Sequence, residues 1–214
     1  MDVCILIGAL TVVVGLYLIR VHFCRATEQD YQEITLDDRK ELSEPQIIHN
    51  DVKAWIEKEK PYQYMTEKDK RILPSIGISI NVVARGGKEE HSTKIFDQLI
   101  RENVLKEDLV VYRGVDNQDY ERNLAKKRKL DDKYLYYNGY IFCSLNADTS
   151  YWNRSIRMII FLPAGTHYLY TGEYSNTPES NEIILDKNSI LRIDNEEDYN
   201  GKHYMWLTLC EKDR

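Results

Sequence analysis

The second half of the chain contains seven short apolar runs, rich in β-branched and aromatic residues and separated by turn-forming residues. Such runs predict β-strands. They are DLVVYRG, GYIFCS, RMIIFLP, HYLYTG, EIIL, SILRI and YMWLTLC. Segments of helical periodicity precede the strands and do not alternate with them. This order predicts an α+β domain in which helices flank a mainly antiparallel sheet.

Three helices are predicted ahead of the strands, because their apolar residues recur at helical spacing. The first is Ile47–Glu59, the second runs from Glu67 to Ala84 with an interruption at Pro74, and the third begins near Ser92. A further helix-like segment, Asp119 to Leu130, is basic and lies between the first two predicted strands.

The N-terminal run Val3–Ile19 contains no charged residue, and Arg20, His22 and Arg25 follow it directly. Its length is close to the lower limit of about 17–25 residues for a membrane-spanning helix. We therefore expect a transmembrane anchor at residues 1–25, and the positive-inside rule places the rest of the chain in the cytoplasm. A cleavable signal peptide, whose positive charge normally precedes the apolar run, and a buried helix are the alternatives.

Residues 26–45 are polar, acidic and without periodicity, which predicts a linker and leaves residues 46–214 as the folded domain. The net charge of −6 argues against a nucleic-acid-binding protein, which needs a basic surface. The five histidines and four cysteines show no metal-ligand spacing, so we expect no metal site. Cys143 and Cys210 would be able to form a disulfide in an oxidising compartment, but free thiols are the expectation.

Three polar residues lie at the ends of predicted strands. Arg113 ends the first strand beside Gly114, an arrangement that suits bidentate binding of a phosphate. Ser144 ends the second strand, and Glu182 opens a strand after the polar loop EYSNTPESN. A carboxylate in that position is either a solvated edge charge or a catalytic group that the sheet holds in place. Taken singly, each residue also has an ordinary structural explanation.

Taken together and in this order, Y-R-G, F-x-S and the glutamate after the polar loop resemble the R-S-E class of mono-ADP-ribosyltransferases. The similarity covers Gln46 to Cys210. SINVVARG resembles the I-N-x-x-L-R helix of that family, with Ala84 in place of Leu. FLPAGTHYLYTG followed by NEIILDKNSILRI resembles the family's proline-glycine turn, acceptor-recognition loop and glutamate strand. The resemblance implies N-terminal helices packed on a mainly antiparallel two-sheet core of the ADP-ribosyltransferase type.

The resemblance also implies an enzyme that uses NAD as its substrate, transfers ADP-ribose to a protein side chain and releases nicotinamide. Glu182 would then be the catalytic carboxylate, which stabilises the positive charge that develops on the ribose. Arg113 would bind the pyrophosphate beside Gly114, and Ser144 would hold Glu182 in place. Tyr64, ahead of the second helix, is a further candidate for contact with NAD.

The chain departs from the family pattern at two places. Leu145 and Asn146 stand where the family usually has Thr and Ser, and Ser180 stands where it usually has Glu or Gln for acceptor recognition. Tyr174, in the same loop, is a second candidate for contact with the acceptor. These departures leave two alternatives to the transferase: an NAD glycohydrolase, and an inactive membrane-tethered interaction module that retains the fold. The expected partners are NAD, an acceptor protein and, through the N-terminal helix, a membrane.

Overall fold

The computed structural model describes residues 50–76, 80, 84, 91–116, 133–148 and 152–210. The predicted anchor, the predicted linker and the basic segment Asp119–Leu130 lie outside the described residues. Within the described ranges, no helix combines the length and the apolar character that a membrane span requires. Gln46–Arg214 forms one compact unit.

Three α-helices lie in this part of the chain: α1 (Val52–Glu59), α2 (Glu67–Ile76) and α3 (His91–Glu102). The Asp51 carboxylate caps α1 by accepting a hydrogen bond from the Ala54 N–H at 3.0 Å. Helix α1 ends at Lys60, which adopts the left-handed conformation with φ of 52°. All three helices confirm the predicted order of helices before strands.

Helix α2 begins with a reciprocal cap. The Thr66 N–H donates to the Asp69 carboxylate at 2.9 Å, and the Asp69 N–H donates to the Thr66 hydroxyl at 3.2 Å. The helix continues through Pro74 to Ile76, where the sequence predicted an interruption at the proline. The Pro74 carbonyl accepts a hydrogen bond from the Asn176 side chain at 2.7 Å, which ties this end of α2 to a later loop.

Eight strands form one sheet in the order β2-β7-β8-β4-β1-β3-β6-β5. Neighbouring strands are antiparallel, except that β4 and β8 are parallel. The strands are β1 (Leu109–Val115), β2 (Tyr134–Tyr137), β3 (Ile141–Ser144), β4 (Ile156–Leu162), β5 (Tyr168–Tyr170), β6 (Glu182–Leu185), β7 (Ser189–Tyr199) and β8 (Lys202–Cys210). The α+β fold class and the mainly antiparallel pairing are therefore confirmed.

The two-sheet core implied by the resemblance is not what the structure shows, because the backbone pairing is continuous across all eight strands. The pairing is weakest between β1 and β3, where Tyr112 and Ser144 are the only registered pair. This short contact joins a five-stranded part (β2, β7, β8, β4, β1) to a three-stranded part (β3, β6, β5). The residues proposed for catalysis lie at this junction.

Apolar side chains cover both faces of the sheet. Along β6, Ile183 and Leu185 belong to the largest buried cluster, against which α1 packs. Ile184 belongs to a second cluster, with residues of α2 and α3. Because strand side chains alternate between faces, Glu182 lies on the same face as Ile184. The sheet thus places the Glu182 carboxylate at the end of the face that α2 and α3 cover.

The sequence did not predict β2 or the full length of the β7–β8 hairpin. Strand β7 continues through the acidic segment after Ile193, with a register shift between Ile193 and Asn195. The hairpin closes at Asn200 and Gly201, which both have positive φ, at 48° and 72°. The residues of β7 after Ile193 are largely charged, so they form no apolar run that would predict a strand. Their backbone pairing with β8 keeps this segment extended.

Candidate active site

The backbone of Glu182 is held from both sides at the mouth of β6. Ser144, the last residue of β3, is its partner in the antiparallel register. On the other side, the Thr171 N–H, one residue beyond β5, donates to the Glu182 carbonyl at 3.0 Å. The structure therefore places the backbones of Ser144 and Thr171 on either side of Glu182.

Two hydroxyl groups hold the Glu182 carboxylate. Its Oε2 accepts from Thr171 Oγ1 at 3.0 Å and from Ser175 Oγ at 3.3 Å. Burial raises the pKa of Glu182 above its ordinary value, whereas the two hydroxyl bonds and the charge of Arg113 act in the opposite direction. The site is thus a half-buried carboxylate that binds a proton more readily than a solvated glutamate does.

Ser144 does not contact the Glu182 carboxylate. Its buried hydroxyl donates to the Ser180 carbonyl and accepts from the Asn146 N–H at 3.1 Å. The sequence predicted that Ser144 would hold Glu182 directly. In the structure Ser144 instead fixes the turn that leads into Glu182, because the Ser180 carbonyl lies two residues upstream of the carboxylate.

Arg113 lies in β1, next to the single registered pair that joins β1 to β3. Its guanidinium donates to the Phe142 carbonyl at 2.5 Å and to the Tyr137 hydroxyl at 2.7 Å. Its Nε is buried and has no hydrogen-bond partner among the described residues. Gly114 follows it in β1. A phosphate would therefore have to share or replace the present partners of a half-buried guanidinium.

Burial raises the pKa of the neighbouring Cys143 thiol to about 12, against the opposing charge of Arg113. Cys143 and Cys210 do not form a disulfide with each other. No group of three or more metal-ligating side chains occurs in the ranges that the structure describes.

The loop between β5 and β6 contains two 3-10 turns, Gly172–Tyr174 and Pro178–Ser180. Ser180 is only 3% exposed, and its hydroxyl donates to the Thr177 carbonyl at 2.7 Å. The side chain expected at the acceptor surface is therefore turned into the loop. Exposed positions of this loop are Glu173, Asn176, Pro178 and Glu179.

The two tyrosines singled out from the sequence differ in their surroundings. Tyr174 packs edge-on against Tyr62, with ring centroids 5.2 Å apart, and Lys70 lies over its ring. Tyr64 is 51% exposed and belongs to the turns between α1 and α2. Tyr174 is thus part of the packing that supports the loop, and Tyr64 is open to a ligand.

The family model of the ADP-ribosyltransferase exoenzymes matches residues 46–211. The chain belongs to this family. The match spans every residue that the structure describes, and it includes Arg113, Ser144 and Glu182. Among curated proteins, none matches the chain.

Solved ADP-ribosyltransferases share the fold at low sequence identity. Plx2a, an ADP-ribosyltransferase toxin from Paenibacillus larvae, is 22% identical, with a TM-score of 0.63 over 75% of this chain and 95% of that one. C3stau2 from S. aureus, solved with NAD, is 17% identical, with a TM-score of 0.66 over 79% and 100%. The C3 exoenzyme of Clostridium limosum is 16% identical, with a TM-score of 0.63 over 80% and 98%. These likenesses show that the chain has the mixed α+β ADP-ribosyltransferase fold.

The sequence did not predict that Thr171 and Ser175 contact the Glu182 carboxylate. Thr171 lies opposite Glu182 because β5 pairs with β6 and Tyr170 lies opposite Ile183, a register that only the structure reveals. Ser175 gave no sequence signal either. Its position depends on the conformation of the 3-10 turn Gly172–Tyr174, which strand periodicity does not reveal.

Proposed function

We propose that the chain is an NAD-dependent mono-ADP-ribosyltransferase, which transfers ADP-ribose from NAD to a side chain of an acceptor protein and releases nicotinamide. Membership of the ADP-ribosyltransferase exoenzyme family supports this function. The observation that carries it is the half-buried Glu182 carboxylate, held at the mouth of β6 by two hydroxyl groups. A solvated edge charge would not need such support.

The carboxylate suits the reaction because cleavage of the nicotinamide–ribose bond develops positive charge on the sugar. A fixed negative group stabilises that charge without having to reorganise, which is the main source of electrostatic catalysis. Glu182 must be ionised for this role. Burial raises the pKa of Glu182, and the hydroxyls of Thr171 and Ser175 and the charge of Arg113 oppose that rise by favouring the ionised form.

Arg113 is proposed to bind the pyrophosphate of NAD. Its guanidinium is always charged and can donate to two phosphate oxygens at once. Its proximity to Gly114 supports this role, because a residue without a side chain leaves room for a ligand near the strand. Tyr64 is proposed to contact NAD on the basis of its exposed ring.

The test is nicotinamide release by Glu182→Gln, compared with Glu179→Gln as a matched control. Glu179 is exposed and lies in the loop between β5 and β6, three residues before Glu182. Gln at 182 keeps the shape and the hydroxyl bonds but removes the charge, so we expect release to fall roughly 100- to 1000-fold. The affinity for NAD should change little, because the lost interaction strengthens mainly in the transition state.

Glu179→Gln should release nicotinamide within about twofold of wild type, as expected for an exposed position outside the site. Wild-type turnover in Glu182→Gln would remove Glu182 from the mechanism. A wild-type protein that releases no nicotinamide would instead favour the inactive interaction module.

An NAD glycohydrolase, with water as the acceptor, is the second candidate. The buried Ser180 favours it, because no acidic side chain is presented at the position that the family usually uses to recognise the acceptor. Labelled NAD separates the two enzymes when the chain is incubated with a cell lysate. The transferase leaves label on protein, whereas the glycohydrolase releases all of it as free ADP-ribose.

Tethering to a membrane through residues 1–25, with the rest of the chain in the cytoplasm, is also a proposal. The uncharged run Val3–Ile19 and its basic C-terminal flank support it. The test is membrane fractionation of the full chain beside a chain that begins at Gln46. The full chain should sediment with membranes, and the shorter chain should stay in the supernatant and unfold cooperatively.

A further inference from the structure

We propose that Thr171 and Ser175 are the positioning residues that hold the Glu182 carboxylate for the reaction, in the place expected for Ser144. The proposal deepens the proposed function and rests on it, since it concerns how the catalytic carboxylate of an ADP-ribosyltransferase is supported. The loop between β5 and β6 would then orient the catalytic carboxylate, in addition to any contact with the acceptor.

The Ser144 hydroxyl is already fully engaged elsewhere. A serine hydroxyl has one proton to donate, and Ser144 donates it to the Ser180 carbonyl. Its oxygen accepts from the Asn146 N–H. Ser144 therefore fixes the backbone upstream of Glu182, but it has no proton left for the carboxylate.

Both contacts to the carboxylate converge on one oxygen. Oε2 accepts from Thr171 Oγ1 at 3.0 Å and from Ser175 Oγ at 3.3 Å. Oε1 accepts no hydrogen bond from any residue in the described ranges. The two hydroxyls thus fix the orientation of the carboxylate through one oxygen and leave the other for a hydroxyl group of the substrate.

The two donors flank a turn that is rigidly held. The Tyr174 N–H donates to the Thr171 carbonyl at 2.8 Å, and the Ser175 N–H donates to the Gly172 carbonyl at 3.0 Å. The Glu173 N–H donates to the Tyr62 hydroxyl at 3.3 Å, which attaches the turn to the segment that follows α1. The positions of the donors are therefore set by the fold and do not depend on a substrate.

Hydrogen bonds to a carboxylate favour its ionised form, so the two hydroxyls oppose the effect of burial on the pKa of Glu182. The other charged group that acts on Glu182 is Arg113, which also favours ionisation. Cys143 is the remaining titratable neighbour, and its raised pKa of about 12 keeps it neutral in the working range. Removing a hydroxyl must then move the Glu182 titration to higher pH.

The experiment uses Thr171→Val and Ser175→Ala in the full chain. Thr208→Val is the matched control, because the Thr208 hydroxyl also donates to a carboxylate, that of Asp194, in the β7–β8 hairpin away from the site. The first readout is the Glu182 side-chain titration by carbon-13 NMR, which needs no enzymatic activity. The second is the pH profile of kcat and KM for nicotinamide release.

We expect the Glu182 titration and the acid limb of the kcat profile to move to higher pH in both site variants and to stay in place in Thr208→Val. At neutral pH, kcat should fall about tenfold in Thr171→Val, from the loss of a hydrogen bond to a charged group. KM should change by less than about twofold, because the carboxylate acts mainly in the transition state. The longer Ser175 bond predicts a smaller effect for Ser175→Ala.

An unmoved Glu182 titration in both folded variants would overturn the proposal. A shift of the Glu182 titration in Ser144→Ala, with no shift in Thr171→Val or Ser175→Ala, would also overturn it. A wild type that releases no nicotinamide would refute the proposed function alone, because the NMR titration still decides the positioning. If Thr171→Val fails to unfold cooperatively, Ser175→Ala decides, since residue 175 lies in the loop and its backbone does not pair with Glu182.

Discussion

Gly172 is the position at which the fold of the loop and the support of Glu182 can be perturbed together. Its φ is +40°, and a Cβ there would lie 2.2 Å from the Tyr62 hydroxyl oxygen and 2.6 Å from carbons of the Tyr170 ring. Real Cβ atoms do not approach other atoms this closely. Gly172→Ala must therefore displace either the tyrosine rings or the turn itself. If the turn moves, Thr171 and Ser175 at its two ends move with it.

The magnitude follows from two contributions. A residue other than glycine in the left-handed region costs roughly 1–2 kcal/mol. Movement of the turn away from Tyr62 also breaks the hydrogen bond from the Glu173 N–H, which is worth roughly 0.5–1.5 kcal/mol. We therefore expect Gly172→Ala to lower the free energy of unfolding by about 1.5–3.5 kcal/mol.

The control is Gly201→Ala, at the tip of the β7–β8 hairpin. Gly201 has φ of +72°, and nothing lies within 4 Å of the position that a Cβ would occupy, so alanine there has the conformational cost without the clash. Denaturant unfolding gives the loss of stability, and nicotinamide release gives the loss of activity. Gly201→Ala should lose about 1–2 kcal/mol and keep its activity, whereas Gly172→Ala should lose more stability and most of its turnover.

Equal losses of stability in the two glycine variants would show that the clash at Gly172 is relieved without cost. Full turnover in Gly172→Ala would refute the idea that this turn positions the donors to Glu182. Adding Tyr62→Phe removes the nearest contact but not those to Tyr170. Tyr62→Phe also removes the acceptor of the Glu173 N–H, so this variant loses stability on its own. The double variant should lose less stability than the sum of the two single variants, and a strictly additive result would exclude coupling between Gly172 and Tyr62.

Two other substitutions give separate predictions. Arg113→Lys should weaken NAD binding by about 1–3 kcal/mol, because an ammonium group cannot make the planar two-pronged contact; unchanged affinity by calorimetry would remove Arg113 from the phosphate site. Ser180→Glu restores the acidic spacing usual in the family but places a carboxylate at a buried position beside Glu182. It should therefore lower the free energy of unfolding by about 1–3 kcal/mol, and unchanged stability in denaturant would show that position 180 can turn outward.

The sequence predicted the element types because they depend on local patterns, and it offered Arg113, Ser144 and Glu182 as candidate site residues from the same patterns. Apolar runs mark β1, β3, β4, β5, β6, the first part of β7 and β8. The register of β3 with β6 is known from the structure alone. Ser144 ends β3 and Glu182 opens β6, whereas Arg113 lies inside β1, two residues before its end. The pairing of β1 with β3 and of β3 with β6 brings the three residues near one another. A pattern of this kind contains no information on which hydroxyl points at which carboxylate.

The features that the sequence did not predict depend on long-range geometry. Whether β1 and β3 pair decides between one sheet and two, and that pairing consists of the single contact between Tyr112 and Ser144. The support of Glu182 depends on a turn whose shape is set by Gly172, where only a glycine fits, and by Tyr62, which lies far earlier in the chain. Neither property has a local signature in the residues themselves.

The contacts of Leu145 and Asn146 show what these two residues do at the positions where the family usually has Thr and Ser. Leu145 is fully buried in the largest core cluster, its N–H donates to the Asn181 carbonyl at 3.2 Å, and its carbonyl accepts from the Asn50 side chain at 2.7 Å. Asn146 supplies its N–H to Ser144. These positions stabilise the backbone around the site, and neither donates to the Glu182 carboxylate among the described contacts.

Loss of the family's usual hydroxyls at positions 145 and 146 would argue for an inactive module only if the carboxylate were left without donors. Thr171 and Ser175 supply two donors from the other side of the site. These two hydroxyls orient the carboxylate and oppose the effect of burial, which raises its pKa. The substitutions at positions 145 and 146 therefore do not by themselves favour the inactive alternative over an enzyme.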